Sequence, residues 1–177
     1  MELDAKRLKA LDEMLAREEI RQCLVRYARA VDRHDTALVA SVYHADALDD
    51  HTAYIGLGSA LGTYANASHD AIWEAHQHFL TNNTIDLDGD TAHVESYFIV
   101  VGRRKQNAGT DVHAGRYVDR FEKRGGRWAI AARVCIYEWG LPAESAVEQL
   151  KTWPLGRHDT SDPSYMRPLQ VWRKPTE

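Results

Sequence analysis

Two ionisable residues, Asp32 and His78, lie where predicted elements end or begin, and their side chains suit proton transfer. Asp32 closes a predicted helix, where the helix dipole disfavours a negative charge. His78 marks a predicted change from helix to strand. A neutral imidazole held by a carboxylate is a general base near neutral pH. Asp32 could instead begin a turn beside Arg33, and His78 could be a hydrogen-bonded core residue.

Several other side chains could complete such a site. Tyr27, one and a half helical turns before Asp32, is a candidate phenol donor to a substrate oxygen, with core packing as the alternative. His113, in a predicted strand, is a candidate second acid or base, or an outward residue near a loop. Five aromatic residues could form cavity walls, although each taken singly also fits a core position: Tyr54, Tyr64, Trp73, Phe98 and Trp139.

A metal site is the alternative use for these histidines. His76 and His78 are two residues apart, with His93 on a predicted partner strand and residues 49–51 (Asp-Asp-His) upstream. If a helix ends at His76, its side chain and that of His78 diverge, and no third ligand follows at a recognisable spacing. We therefore expect no metal. The chain contains no phosphate-binding loop, nucleophile elbow or Schiff-base lysine motif, and we expect no cofactor.

Composition limits the classes of function. The 177 residues are 44% hydrophobic, and 22 Lys and Arg stand against 26 Asp and Glu. With no basic face, nucleic acid and anionic membranes are not expected as partners. No stretch is long and apolar enough to span a membrane, and the charged first residues do not resemble a signal peptide. The lone cysteines, Cys23 and Cys135, are interpreted as packing residues, and we expect a cytoplasmic protein.

Helix signals occupy the first half of the chain. Apolar spacing predicts a helix over residues 11–31 and a short second one starting at Asp35 or Thr36. Residues 45–67 are interpreted as irregular strand and loop. A third helix is predicted to be capped by Ser68 or Asp70 and to run through His76.

Strand signals follow. Alternating patterns predict strands over 78–87, 91–101, 112–122 and 127–139, the first pair joined by a turn at 88–90. Helices followed by an antiparallel meander indicate the α+β class. We expect residues 1–142 to form one domain and residues 143–177 to form an extension covering the cavity or a neighbouring subunit.

Five short segments resemble the SnoaL-like branch of the nuclear transport factor 2 superfamily, which includes scytalone dehydratase, bile acid 7α-dehydratase and hexachlorocyclohexane dehydrochlorinase. They are residues 20–32 (IRQCLVRYARAVD), 78–82 (HFLTN), 88–92 (DGDTA), 117–122 (YVDRFE) and 126–128 (GRW). The resemblance extends over roughly residues 10–140. It implies a cone-shaped α+β barrel, in which a curved antiparallel sheet wraps around helices and encloses a deep apolar cavity.

The resemblance also implies roles for particular residues. In the lyases of this family an Asp at the end of the first long helix and a His at the start of the sheet form a catalytic dyad, and Asp32 and His78 occupy those places. Tyr27 matches a tyrosine of the bile acid enzyme. His113 is the nearest candidate for a second histidine. Where that enzyme has an arginine in its last strand this chain has Cys135, so carboxylate recognition of that kind is not carried over.

These implications lead to an expected function. We expect a cofactor-independent lyase, a dehydratase acting on a hydrophobic cyclic substrate by Asp–His acid–base catalysis. An isomerase, cyclase or dehydrochlorinase would use the same dyad, and a non-catalytic ligand-binding or assembly module is the alternative from another class. Family members commonly associate through the open sheet face, and we expect a homodimer or homotrimer.

Overall fold

The computed structural model describes residues 4–106, 109–142, 152–154, 157 and 159–175. It has the predicted α+β architecture, with helices packed against one curved, unclosed sheet of six strands. The helices are α1 (Ala5–Asp32), α2 (Thr36–Ser41) and α3 (Leu61–Ile72), with short 3-10 turns at Gly58–Ala60 and Pro163–Tyr165. The strands are β1 (Tyr43–Asp50), β2 (Ile55–Leu57), β3 (Trp73–Asp88), β4 (Thr91–Arg104), β5 (Thr110–Arg124) and β6 (Arg127–Leu141).

The sheet has the order β2-β1-β6-β5-β4-β3. Strands β3 to β6 form the predicted antiparallel meander, and each is somewhat longer than the sequence indicated. Gly89, at φ +59°, permits the tight turn between β3 and β4. Strand β1 was not foreseen as regular structure; it adds to β6 in parallel and carries β2 at the sheet edge.

Helix α1 lies against the concave side of the sheet. Asp4 caps its first turn by accepting from the backbone N–H of Arg7. The apolar spacing predicted a buried stripe of Ile20, Cys23, Leu24, Tyr27, Ala28 and Val31. All of these are buried except Ala28, which is half-buried, and Ala30 is buried in addition. Asp35 caps α2 as predicted. The end of α1 at Asp32 and the start of α2 four residues later therefore fix Asp32 at the rim of the core.

The third helix was predicted too late in the chain. It starts at Leu61, inside the segment interpreted as irregular, and ends at Ile72, so it is not capped by Ser68 or Asp70. Its first turn packs on α2, where Gly62 lies close to Thr36 and Val39. Strand β3 begins at Trp73, in extended conformation, and the ladder with β4 starts there. His76 and His78 thus both lie on β3.

The C-terminal residues around Asp162 and Leu169 lie on the convex face of the sheet, whereas Trp153 packs against the core on the helix side. Leu169 is fully buried against Val118, Val134 and Ile136. The Asp162 carboxylate accepts from both terminal nitrogens of Arg116 on β5, at 3.1 and 2.8 Å. The division into a domain of residues 1–142 and an extension of residues 143–177 stays a prediction, and residues 143–151 lie outside the described part of the chain.

Candidate active site

Asp32 and His78 are in direct contact. The His78 backbone N–H donates to both carboxylate oxygens of Asp32, each at 3.0 Å. The His78 ring Nδ1 lies 2.6 Å from Asp32 Oδ1. The Asp32 side chain is 12% exposed and the His78 side chain is 7% exposed. Because Nδ1–H donates to the carboxylate, the neutral ring keeps its lone pair on Nε2, the nitrogen that a general base uses.

Three further histidines surround this pair. His76 Nε2 is 3.2 Å from the carbonyl oxygen of Val31 and 3.9 Å from Asp32 Oδ1. The rings of His69 and His76 are 4.4 Å apart between centroids, and His34 stacks at 5.4 Å from His76. Burial, together with His78 and the other imidazoles, lowers the pKa of His69 to about 2. Burial also lowers the pKa of His76.

His78 faces a cavity of about 210 Å³ between the helices and the sheet. Its wall is mostly apolar or aromatic, and the aliphatic members are Val31, Ala53, Leu61, Ala65, Ile72 and Val100. The aromatic members are Tyr27, Tyr64, Trp73, Phe98, Tyr117, Tyr137 and Trp153, and the polar or ionisable ones are His51, Ser68, His69, His78, His113 and Cys135. A small number of polar groups in an apolar wall is typical of a site for a small molecule.

Tyr27 and His113 both reach this cavity. Tyr27 is 2% exposed, and burial raises its pKa although the charges of His51 and Arg133 pull it down. His113 Nδ1 lies 3.4 Å from the hydroxyl of Tyr137, and burial lowers the pKa of His113. The structure thus brings together all four residues predicted from the sequence as candidates for acid–base chemistry.

Three of the five predicted wall residues line the cavity, namely Tyr64, Trp73 and Phe98. Tyr54 does not belong to the wall. Its ring packs against Tyr64 at 5.3 Å and its hydroxyl donates to the carbonyl oxygen of Leu57 at 2.6 Å. This hydrogen bond ties Tyr54 to β2, at the edge of the sheet, and leaves Tyr64 at the cavity.

Trp139 was also wrongly predicted as a wall residue, because β6 is irregular there. Gly115 pairs with Tyr137 but Ala114 pairs with Trp139, so β6 carries one extra residue, Glu138, at this point. Such a bulge breaks the alternation of sides along a strand. Tyr137 faces the cavity, whereas Trp139 is 49% exposed and lines an outer groove.

The sequence also predicted that His76 and His78 diverge, which is wrong, because both lie on one strand. Within the described residues two groups bring ligand atoms within 4.8 Å of one another: His34, His69 and His76, and Asp32, His76 and His78. Hydrogen bonds already engage the second group, since Asp32 holds His78 and His76 Nε2 contacts Val31. Asp32, His76 and His78 therefore form a hydrogen-bonded acid–base cluster, and the His34 and His69 rings pack against it.

Among the cavity residues that the sequence analysis did not assign to the site, His51 has the most evident chemistry. It follows β1 directly and hydrogen bonds through Nδ1 to Asp49. The spacing Asp-x-His at residues 49–51 was a usable signal, but it was weighed only as a metal motif. Arg133, on β6, lies beneath the cavity tyrosines, with its guanidinium 4.1 Å from the Tyr27 ring and 4.2 Å from the Tyr117 ring.

A sequence profile of the SnoaL-like domain matches residues 12–134. The chain belongs to the SnoaL-like family. No curated protein matches its sequence significantly. The fold agrees with this family assignment. Helices packed in a curved, cone-shaped sheet are also the fold of the nuclear transport factor 2 superfamily. A member of that superfamily from Salmonella enterica is among the similar solved structures.

Other solved structures share the SnoaL-like fold at low sequence identity. A variant of Rv3472, a protein of unknown function from Mycobacterium tuberculosis, is 26% identical over 70% of this chain and 77% of its own, with a TM-score of 0.62. A scytalone dehydratase-like protein from Novosphingobium aromaticivorans is 16% identical over 83% and 97%, with a TM-score of 0.68. Hexachlorocyclohexane dehydrochlorinase LinA-type3 from Novosphingobium barchaimii is 19% identical over 75% and 93%, with a TM-score of 0.66.

The family match shows that the chain belongs to the SnoaL-like family, and the two structures with the lower identities show the fold alone. In the described part of this SnoaL-like chain, none of the helices combines the length and apolarity needed to cross a membrane. Both cysteines are free and buried.

Proposed function

We propose that this SnoaL-like protein is a lyase, a dehydratase that removes water from a hydrophobic cyclic substrate with its own acid and base side chains. One observation carries the proposal: His78 is held by Asp32 through Nδ1 and faces a largely apolar cavity. Of the cavity histidines, His78 is the one whose orientation a carboxylate fixes through both its ring and its backbone N–H.

The base step follows from this geometry. His78 Nε2 removes a proton from a carbon next to an electron-withdrawing or aromatic group. Asp32 stabilises the imidazolium that forms and keeps the ring in its productive tautomer. The apolar wall excludes water, so the charge that develops on the substrate interacts strongly with the few polar groups nearby.

The hydroxyl groups in the cavity favour dehydration over other eliminations. Hydroxide is a poor leaving group and must be protonated as it departs, whereas chloride leaves as the anion. Tyr27 lines the cavity together with His78, and His113 lies near Tyr137 in the same wall. A dehydrochlorinase, isomerase or cyclase would use the same base, and a module that only binds ligand would need neither Asp32 nor Tyr27.

Turnover of a panel of cyclic hydroxylated compounds, followed by mass spectrometry for loss of one water, tests the proposal. With a substrate in hand, we expect Asp32→Asn and His78→Gln each to lower kcat by about 10²- to 10⁴-fold, the range of general acid–base catalysis. His93→Gln is the matched control, because His93 lies on β4 away from the cavity wall. Full activity in both dyad variants would contradict the dyad assignment.

Two further proposals concern the setting of this activity. We propose a homodimer or homotrimer, which sedimentation velocity would show as a species of two or three times the chain mass. We also propose a cytoplasmic location, which the two free, buried cysteines support.

A further inference from the structure

A second Asp–His couple, Asp49 and His51, lies at the same cavity. Asp49 is fully buried at the end of β1, and His51 follows the strand. One carboxylate oxygen of Asp49 hydrogen bonds to His51 Nδ1. The other accepts from the hydroxyl of Tyr43 at 2.6 Å. Both oxygens of the carboxylate are therefore engaged, and the Asp49–His51 couple is as firmly held as the dyad.

The couple reaches the substrate cavity through Tyr27. The second ring nitrogen of His51, Nε2, lies 3.3 Å from the Tyr27 hydroxyl, and both residues line the cavity. His51 also hydrogen bonds to the Cys135 thiol. Tyr27 comes from α1, five residues before Asp32. One helix thus supplies a group to each Asp–His pair, and the cavity lies between the Tyr27 hydroxyl and the base His78.

The charges around His51 favour its protonated form. Burial disfavours the imidazolium, but the carboxylate of Asp49 outweighs burial and holds the pKa of His51 well above its usual value. The other titratable or charged groups near it lie on several elements. They are Tyr27 on α1, Tyr43 and Asp50 on β1, Tyr54 before β2, His69 on α3, Tyr117 and Asp119 on β5, and Cys135 and Arg133 on β6. Arg133 is itself paired with Asp119, so its charge is already compensated.

A protonated His51 sets the direction of the Tyr27 hydrogen bond. Its Nδ1–H donates to Asp49, and its Nε2–H donates to the Tyr27 oxygen. Since that oxygen accepts from His51, the phenolic hydrogen of Tyr27 is left to donate, either to its hydrogen-bonded neighbour Tyr117 or to a substrate group in the cavity.

We propose that the Asp49–His51 couple makes Tyr27 the proton donor of the reaction and resupplies its proton, so that the substrate places its leaving hydroxyl at Tyr27 and its acidic C–H at His78. This inference rests on the proposed dehydratase function. Tyr27 touches the substrate, whereas His51 and Asp49 act through Tyr27 as positioning residues. The substrate class is a cyclic compound with a hydroxyl on the carbon next to the one that loses a proton.

Protons and electrons balance in this elimination, with the Asp32–His78 pair taking up one proton and the Asp49–His51 pair supplying one through Tyr27. The C–H electron pair becomes the new C=C bond as His78 Nε2 takes the proton. The C–O bond breaks with its electrons on oxygen, which takes the Tyr27 proton and leaves as water, while Tyr27 takes the Nε2 proton of His51. His78 then releases one proton to solvent and His51 takes one up, so no oxidant, reductant or co-reactant is needed.

The protonation state of His51 can be measured without a substrate. Long-range proton–nitrogen NMR spectra of the ¹⁵N-labelled full-length protein distinguish imidazolium from neutral imidazole, and His51→Gln assigns the signal. We expect His51 to be imidazolium at pH 7.5, where the buried cavity histidines His69 and His113 are neutral. We expect Asp49→Asn to raise the proton dissociation constant of His51 at least about tenfold.

Asp50→Asn is the matched control. Asp50 is a buried carboxylate on the same strand but accepts from the backbone N–H of Thr52 and from Arg173, not from His51. Asp50 acts on His51 only through space, so its replacement should shift the His51 titration much less than Asp49→Asn does. A neutral His51 at pH 7.5 in the wild type overturns the inference, even if Asp49→Asn does not fold, and so does an unchanged titration in folded Asp49→Asn.

Kinetics separates this inference from the proposed function. With a dehydration substrate, His51→Gln should lower kcat rather than raise KM, and Asp49→Asn should shift the alkaline fall of the rate to lower pH, because His51 then loses its proton earlier. Activity that survives in the Asp32 and His78 variants refutes the proposed function whatever the state of His51. If activity is lost in the Asp32 and His78 variants but is unaffected in His51→Gln, only the inference about the Asp49–His51 couple is refuted.

Discussion

The depressed pKa of His69 makes this residue a source of acid sensitivity. Its ring is packed among His34, His76, His78 and Trp73, and burial lowers its pKa to about 2. The folded state therefore keeps His69 neutral, whereas the unfolded chain takes up a proton as pH falls below about 6.5. Where the unfolded state binds more protons, stability falls as the pH falls.

We predict that the free energy of unfolding decreases from pH 7 to pH 5, with a contribution from His69 of up to about 1.4 kcal/mol per pH unit. Urea unfolding at several pH values measures this slope. His69→Gln should flatten it, while the slopes of the two proteins should coincide between pH 8 and pH 9, where His69 is neutral in both states. Equal slopes below pH 6.5 would contradict the prediction.

For individual residues, the sequence and its family resemblance predicted that Asp32 and His78 meet, and the structure has this contact. A carboxylate at a helix end and a histidine near a change from helix to strand are visible as spacing. The partner of Tyr27 was not visible. Asp49 and His51 lie in a segment whose burial does not alternate regularly, and β1 is held by parallel pairing to β6, more than eighty residues away. Contacts over such distances leave no local periodicity to interpret.

Among the elements, the contact between β3 and β4 at Trp73 fixes one wall of the cavity. A Cβ atom added at Gly102 would lie 2.4 Å from the Trp73 ring. The Trp73 indole N–H donates to Asp111 at 3.0 Å, so the ring cannot move without losing this hydrogen bond. Gly102 on β4 is thus the residue that leaves room for Trp73.

We predict that Gly102→Ala displaces Trp73 and lowers stability by about 1–3 kcal/mol, the usual cost of overpacking. The displacement should appear as a change in the NMR resonance of the Trp73 indole N–H, and the stability loss in thermal unfolding followed by circular dichroism. Gly89→Ala is the control: it strains a turn with positive φ but meets no atom within 4 Å, so the Trp73 resonance should not change. An unshifted resonance in Gly102→Ala would show that the wall is more adaptable than the structure indicates.

Regular elements were predicted well and irregular ones poorly. The four long strands and α1 carry strong periodic signals over many residues. The early start of α3 depends on Gly62 fitting against α2, and the outward position of Trp139 depends on the bulge at Glu138. Both are set by packing between elements, which a single-sequence pattern does not contain.

Across the whole molecule, the C-terminal residues extend the structure beyond the SnoaL-like match at residues 12–134. Leu169 is completely buried on the convex face of the sheet, and Arg120 donates to its carbonyl oxygen at 3.1 Å. The sequence indicated an appendage, but not its place on the sheet.

We predict that Leu169→Ala lowers the free energy of unfolding by about 2–5 kcal/mol, as expected for a buried leucine. Urea unfolding at neutral pH measures the loss. Trp172→Ala, three residues later at a half-exposed position, serves as the control and should cost much less. A neutral Leu169→Ala variant would mean that this segment does not pack on the sheet in solution.

The cavity wall includes two tryptophans from distant parts of the chain, Trp73 at the start of β3 and Trp153 in the C-terminal region. Of the others, Trp128 is buried in the core, and Trp139 and Trp172 are about half exposed. A molecule that enters the cavity must therefore touch two of the five indole rings. Intrinsic fluorescence can report occupancy without a label, so a library of cyclic compounds can be screened for binding before any reaction is known.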